Sequence, residues 1–134
     1  MQGAIESTPA CNAALRRWLA RRAVETLPAW LRELGHPFRL EPADVAIKSQ
    51  RTRWASCATS GRISLNCKLL FLPRELVRYV LVQELCHLRE PSHSTRFWAQ
   101  VRQLDRAADA HHVQMREAWQ RVPPWAQRGA PVAL

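Results

Sequence analysis

From Asn12 onward, Leu15, Trp18, Leu19, Ala23, Leu27, Leu31 and Leu34 recur at steps of three and four among polar neighbours. That spacing places apolar side chains on one face of a helix, here predicted from about Asn12, a candidate N-cap, to Gly35, which ends it. Pro28 lies inside the run. Lacking an N–H and clashing with the preceding turn, it is expected to kink the helix or to start a second one. Residues 1–11 are small and polar with Pro9 and read as a frayed start.

The period then changes. Phe38, Leu40, Val45 and Ile47 fall in short alternating runs within 38–50, and Ile63, Leu65, Cys67 and Leu69 alternate with Ser64, Asn66 and Lys68, as strands require. Ala58, Thr59, Ser60 and Gly61 form a turn cluster, so 53–57 and 62–70 are expected to pair as a hairpin in a small, mostly antiparallel sheet. Pro73 opens a helix through about Arg89 on Leu76, Val77, Val80, Leu81 and Leu88, and Pro91 forbids its continuation. Another helix follows over 94–104 on Phe97, Val101 and Leu104, and a last one from about Ala107 to Arg121. Pro123 and Pro124 then break into a loose tail. These elements read as one α+β domain, 1–134, without internal repeat.

Composition narrows the class. A chain of 134 residues with 47% hydrophobic content can build one core and is too short for two, so one site is sought. No apolar run approaches the roughly 20 residues of a membrane span, and no basic, apolar leader is apparent, so no membrane partner and a cytoplasmic location are expected. The 4 cysteines form no CxxC pair and are expected to be free thiols. The net charge of +9 is almost all arginine, scattered from Arg16 to Arg128 with short doublets at Arg16–Arg17 and Arg21–Arg22. A solvated surface is the simpler reading, with nucleic-acid contact as the alternative.

The chemistry concentrates on one helix. Gln83, Glu84, Leu85, Cys86 and His87 form the HExxH pattern with its first His replaced by Gln. Residues one helical turn apart share a face, so side chains 83 and 87 can converge on one metal, while Glu84 stands beside them as a base for water. Beyond Pro91, where the chain leaves the helix, His93 can bring another imidazole to the same point.

Further residues frame this motif: Arg53, Trp54, Ala55, Ser56 and Cys57 upstream, the strand from Ile63 to Leu70, the Pro-led helix, and His93, Ser94, Thr95, Arg96, Phe97 and Trp98 downstream. In order and spacing, over about residues 12–121, these segments resemble the YgjP-like metallopeptidase family. The resemblance implies a compact zincin fold of minigluzincin type, with zinc in a cleft between the catalytic helix and the sheet. It also implies Glu84 as catalytic base, His87, His93 and position 83 as metal ligands, and a peptide or protein substrate. Arg53 and Trp54 would line the cleft, although an Arg-Trp pair also packs well structurally. Some SprT-like and WLM relatives act on protein bound to DNA, a second reason to keep nucleic acid open as a partner.

The sequence departs from that family where Ala55 replaces Gly, where His111, His112 and Val113 stand in place of a frequent Tyr, and above all at Gln83. A carboxamide oxygen is a weak donor to zinc, so affinity should fall beyond the about 10–100-fold of outer-shell losses. Three outcomes stay open. Gln83 ligates weakly; Cys86, His111 or His112 substitutes; or the scaffold binds a peptide or partner protein without cutting it. Tyr79, one turn before Gln83 on the same face, is a candidate donor to an oxyanion or else a core residue.

Overall fold

Residues 8–127 are described by a computed structural model, and they begin with a helix, α1 (Pro9–Gly35). It starts earlier than the apolar pattern predicts. Thr8 is the N-cap, its hydroxyl accepting from the Cys11 N–H at 3.1 Å, and Pro9 takes an early position where no N–H is needed. The expected frayed start is thus corrected for residues 8–11, while 1–7 lie outside the described residues. α1 also runs through Pro28 as one element, so no second helix starts there. The lost hydrogen bond is offset on either side by Leu27 and Leu31, 1% and 0% exposed in the core. The helix ends at Gly35, where a Cβ would collide with the Leu40 carbonyl oxygen.

After a 3-10 turn over His36–Phe38, three strands follow: β1 (Asp44–Lys48), β2 (Ala55–Cys57) and β3 (Arg62–Asn66). β2 and β3 form the expected antiparallel hairpin, with Cys57 opposite Ile63 and Gly61 supplying a φ of 92° at the turn. β1, however, pairs parallel to β3 from Asp44↔Arg62 to Lys48↔Asn66, giving the order β1-β3-β2. The sheet is therefore mixed rather than mostly antiparallel. β3 takes the centre because its Ile63 and Leu65 are both 0% exposed, whereas β1 and β2 are only half-buried. The alternation beyond Asn66 belongs to a 3-10 turn, Cys67–Phe71, in which the Asn66 side chain accepts from the Lys68 N–H at 3.0 Å.

Four helices complete the domain: α2 (Arg74–His87), α3 (Thr95–Leu104), α4 (Ala108–Gln114) and the short α5 (Pro124–Gln127). The single helix expected over 107–121 divides, its second half being a 3-10 segment, Met115–Arg121. The expected loose tail begins with α5, whose Trp125 meets Phe71 edge to face at 5.6 Å. α2 is the hub. Leu76, Val77, Tyr79, Val80, Leu81, Val82, Leu85 and Cys86 are all buried, because the other helices and the sheet cover nearly every face. Each such aliphatic side chain contributes about 1.5–3 kcal/mol. Gln83 and His87, near the C-terminal end of α2, are only half-buried, so the hub opens toward solvent where the motif lies.

Candidate active site

The last turn of α2 tightens as Leu88 N–H donates to Leu85 O and Arg89 N–H to Cys86 O, and the chain leaves the helix before Pro91. This turn puts the Glu90 carbonyl 2.9 Å from His87 Nδ1. A carbonyl only accepts, so Nδ1 carries the proton and Nε2 of the neutral ring keeps its lone pair. Ser94 then caps α3, its hydroxyl accepting from the Phe97 N–H at 3.2 Å, and the same turn brings His93 back. His87 Nε2 and His93 Nε2 lie 3.1 Å apart. Phe97, 0% exposed, seats both rings: it stacks on His87 at 4.3 Å and 22°, and lies 5.0 Å from His93.

Glu84 precedes His87 by three residues on α2. It is 9% exposed, and its Oε1 is buried without a hydrogen-bond partner. Burial pushes its pKa up to about 7, with the charge of the exposed Arg53 pulling the other way. Cys57 of β2 lies near enough to feel that carboxylate; burial first, and the Glu84 charge second, raise its thiol to about 11. A cavity of about 230 Å³, walled by Cys57, Thr59, Gly61, His87 and Pro91, opens between the hairpin and the end of α2. Burial lowers the pKa of His87, the Glu90 carbonyl opposing that shift and the neighbouring His93 adding to it.

The other candidates have partners of their own. Trp54 stacks on Trp119 at 3.9 Å and 18°. Tyr79 is 1% exposed, and its hydroxyl meets His112 Nδ1 at 2.8 Å, so the phenol joins α2 to α4. Burial raises its pKa to about 12, against the nearby Gln83 side chain, which lowers it. Of the possible substitutes for a ligand at position 83, Cys86 is 0% exposed, and burial pushes its thiol up to about 12. His111 is bonded to the buried Asp105 at 2.7 Å, and His112 to Tyr79. Two features were not anticipated from the sequence. One is the Phe97 seat, whose only trace is its place in the His-Ser-x-x-Phe-Trp segment. The other is the anchoring of the Arg53 loop, where Asn66 Nδ2 donates to Gln50 O and Arg53 O, and Lys68 Nζ to Gln50 O at 2.8 Å.

Zinc in a tetrahedral site holds imidazole nitrogens at about 2.0–2.1 Å, which separates two of them by about 3.3 Å. The His87–His93 pair fits that spacing, and a buried Glu84 oxygen without a partner, on the same helix as His87, fits a base awaiting water. The set stops there: among the described residues no three His, Cys, Asp or Glu side chains assemble as a metal-holding group. Position 83 can add only a carboxamide. Also among the described residues, no helix is long and apolar enough to cross a membrane.

No curated protein matches the chain. Its structure is similar to the crystal structure of the metallopeptidase zymogen of Pyrococcus abyssi abylysin, with a TM-score of 0.56 and 24% identity, covering 67% of this chain and 95% of that one. This likeness is one of fold, an α+β arrangement of helices on a small sheet. The sequence itself matches the description "YgjP-like, metallopeptidase domain" over residues 2–118, and the chain belongs to the YgjP-like metallopeptidase family.

Proposed function

We propose that the chain is a metal-dependent peptide hydrolase in which His87 and His93 hold the metal, Gln83 adds a weak third donor and Glu84 is the base. The convergence of two imidazole nitrogens at 3.1 Å, together with a buried, unpartnered carboxylate oxygen on the same helix as His87, carries this reading. Zinc bound there would supply Lewis acidity and bring the pKa of water toward about 7. The chain's own groups do the rest. Glu84, whose carboxyl pKa burial raises to about 7 in the metal-free protein, is the group that would take a proton from water and return it to the leaving amine. Glu90 holds the His87 ring through Nδ1, and Phe97 keeps both imidazoles from rotating away. β2, an edge strand beside the cavity, has one free backbone edge along which an extended peptide could pair.

Gln83 favours a second reading, a cleft that binds a peptide or partner protein without cutting it. Elemental analysis of protein purified without added metal or chelator, beside a Gln83→His variant, separates the two. About one zinc per chain in both supports the hydrolase. Zinc in the variant alone supports the binding protein. Peptidase activity that survives Glu84→Gln unchanged would sink the assignment of the base.

A further inference from the structure

α1 presents two unlike faces. Leu19, Ala23, Leu27 and Leu31 are 0–2% exposed in the core, while Trp18 on the outer face stays 49% exposed. Exposed Arg17 stands beside that indole, and exposed Arg21 and Arg22 follow one turn on. Arg22 is paired with Glu25 at 3.1 Å, but Arg17, Arg21 and the exposed Arg32 have no ion-pair partner among the described residues. At 1.5 Å of rise per residue, these three guanidinium groups span about 22 Å of helix. An indole half in water gives little to folding, and unpaired like charges along one face repel each other, so the patch is complementary to a polyanion.

The aromatic residue decides which polyanion. Phosphates alone would satisfy the arginines, whereas a nucleobase also offers a flat face that stacks on indole. A membrane surface is the poorer match, because the apolar face of α1 is already buried in the core and, of its large apolar side chains, only Trp18 and Val24 are left exposed to insert. We propose that the outer face of α1 binds single-stranded nucleic acid, with Trp18 stacking on a base and Arg17, Arg21 and Arg32 contacting phosphates.

The test is fluorescence anisotropy of a labelled oligothymidylate of about 16 nucleotides against the full chain over a salt series. Arg17→Glu with Arg21→Glu should weaken binding at least about tenfold and flatten the salt slope by about 1.4, two contacts at about 0.7 each. Trp18→Ala should weaken it about five- to a hundredfold with the slope unchanged. Arg106→Glu with Arg116→Glu, also exposed and outside ion pairs, removes the same charge and should leave affinity nearly unchanged. Circular dichroism verifies that these surface variants keep the fold. The proposal is overturned if the control pair weakens binding as much as the α1 pair, if the parent protein does not bind at the lowest salt, or if the same residues bind only phosphatidylserine vesicles.

Discussion

Glu84 is held where its proton affinity and the stability of the fold oppose one another. Burial lifts its pKa from 4.5 to about 7, so the native protein keeps a proton that the unfolded chain has already released. Below pH 4.5 both states are protonated, and the buried neutral acid contributes its full stability. As pH rises from there to about 7, stability falls, and above 7 the loss is constant. Glu84→Gln, compared with the parent in the metal-free state, should therefore be more stable at pH 8 by on the order of 3 kcal/mol, the gap closing toward pH 4. Urea unfolding across that pH range measures it, and a gap that does not change with pH would contradict burial as the cause. At this scale much of the site was legible. Glu84, His87 and His93 are linked by local spacing, one helical turn and one proline-imposed exit. The partners of those residues were not: the contact of Tyr79 with His112 and the seat of both imidazoles on Phe97 depend on how separate helices meet, which no local spacing encodes.

Between elements, the joints decide the outcome. Helix existence followed from apolar periodicity, and α2 and α3 lie close to where it put them. Strand order did not follow, because alternation states only that a segment is half-buried. It cannot say that the chain crosses from β1 to the far edge before β3 inserts between β1 and β2. The joint from α1 to β1 is tight. Gly35 lies against the Leu40 carbonyl, and Leu40 N–H returns a hydrogen bond to Gly35 O at 3.0 Å, so helix end and returning chain leave no room for a Cβ. Gly35→Ala must push the segment 36–40 away, and with it Leu40, 1% exposed in the core. The expected loss is about 1–3 kcal/mol, even though alanine is the better helix former. An unfolding midpoint equal to or above that of the parent would show that the joint yields freely.

Across the whole molecule, the C-terminal segment ties together parts that lie far apart in sequence. Trp119 stacks on Trp54 beside the Arg53 loop, and Lys68 Nζ lies 5.9 Å from the same Trp119 ring. Trp125 packs edge to face on Phe71, and its carbonyl accepts from Arg16 Nη1 at 3.2 Å, joining α5 to the first turns of α1. The two prolines before Trp125 looked like the start of a tail because they end a helix, but they also set up α5, and a short helix with one large aromatic leaves no periodic trace. The two tryptophans should separate stability from site geometry. Trp125→Ala removes a clasp between α5, Phe71 and α1 and should cost about 2 kcal/mol, less than a fully buried tryptophan because this one is half-buried. It should leave the apparent pKa of Glu84 in place. Trp119→Ala should cost a similar amount and also free the loop whose Arg53 charge holds that pKa down, so the Glu84 value should rise further. Urea unfolding of both variants together with NMR titration of the carboxyl tests the pair. A Trp125 variant that unfolds with the parent would show that α5 rests on the domain without holding it together.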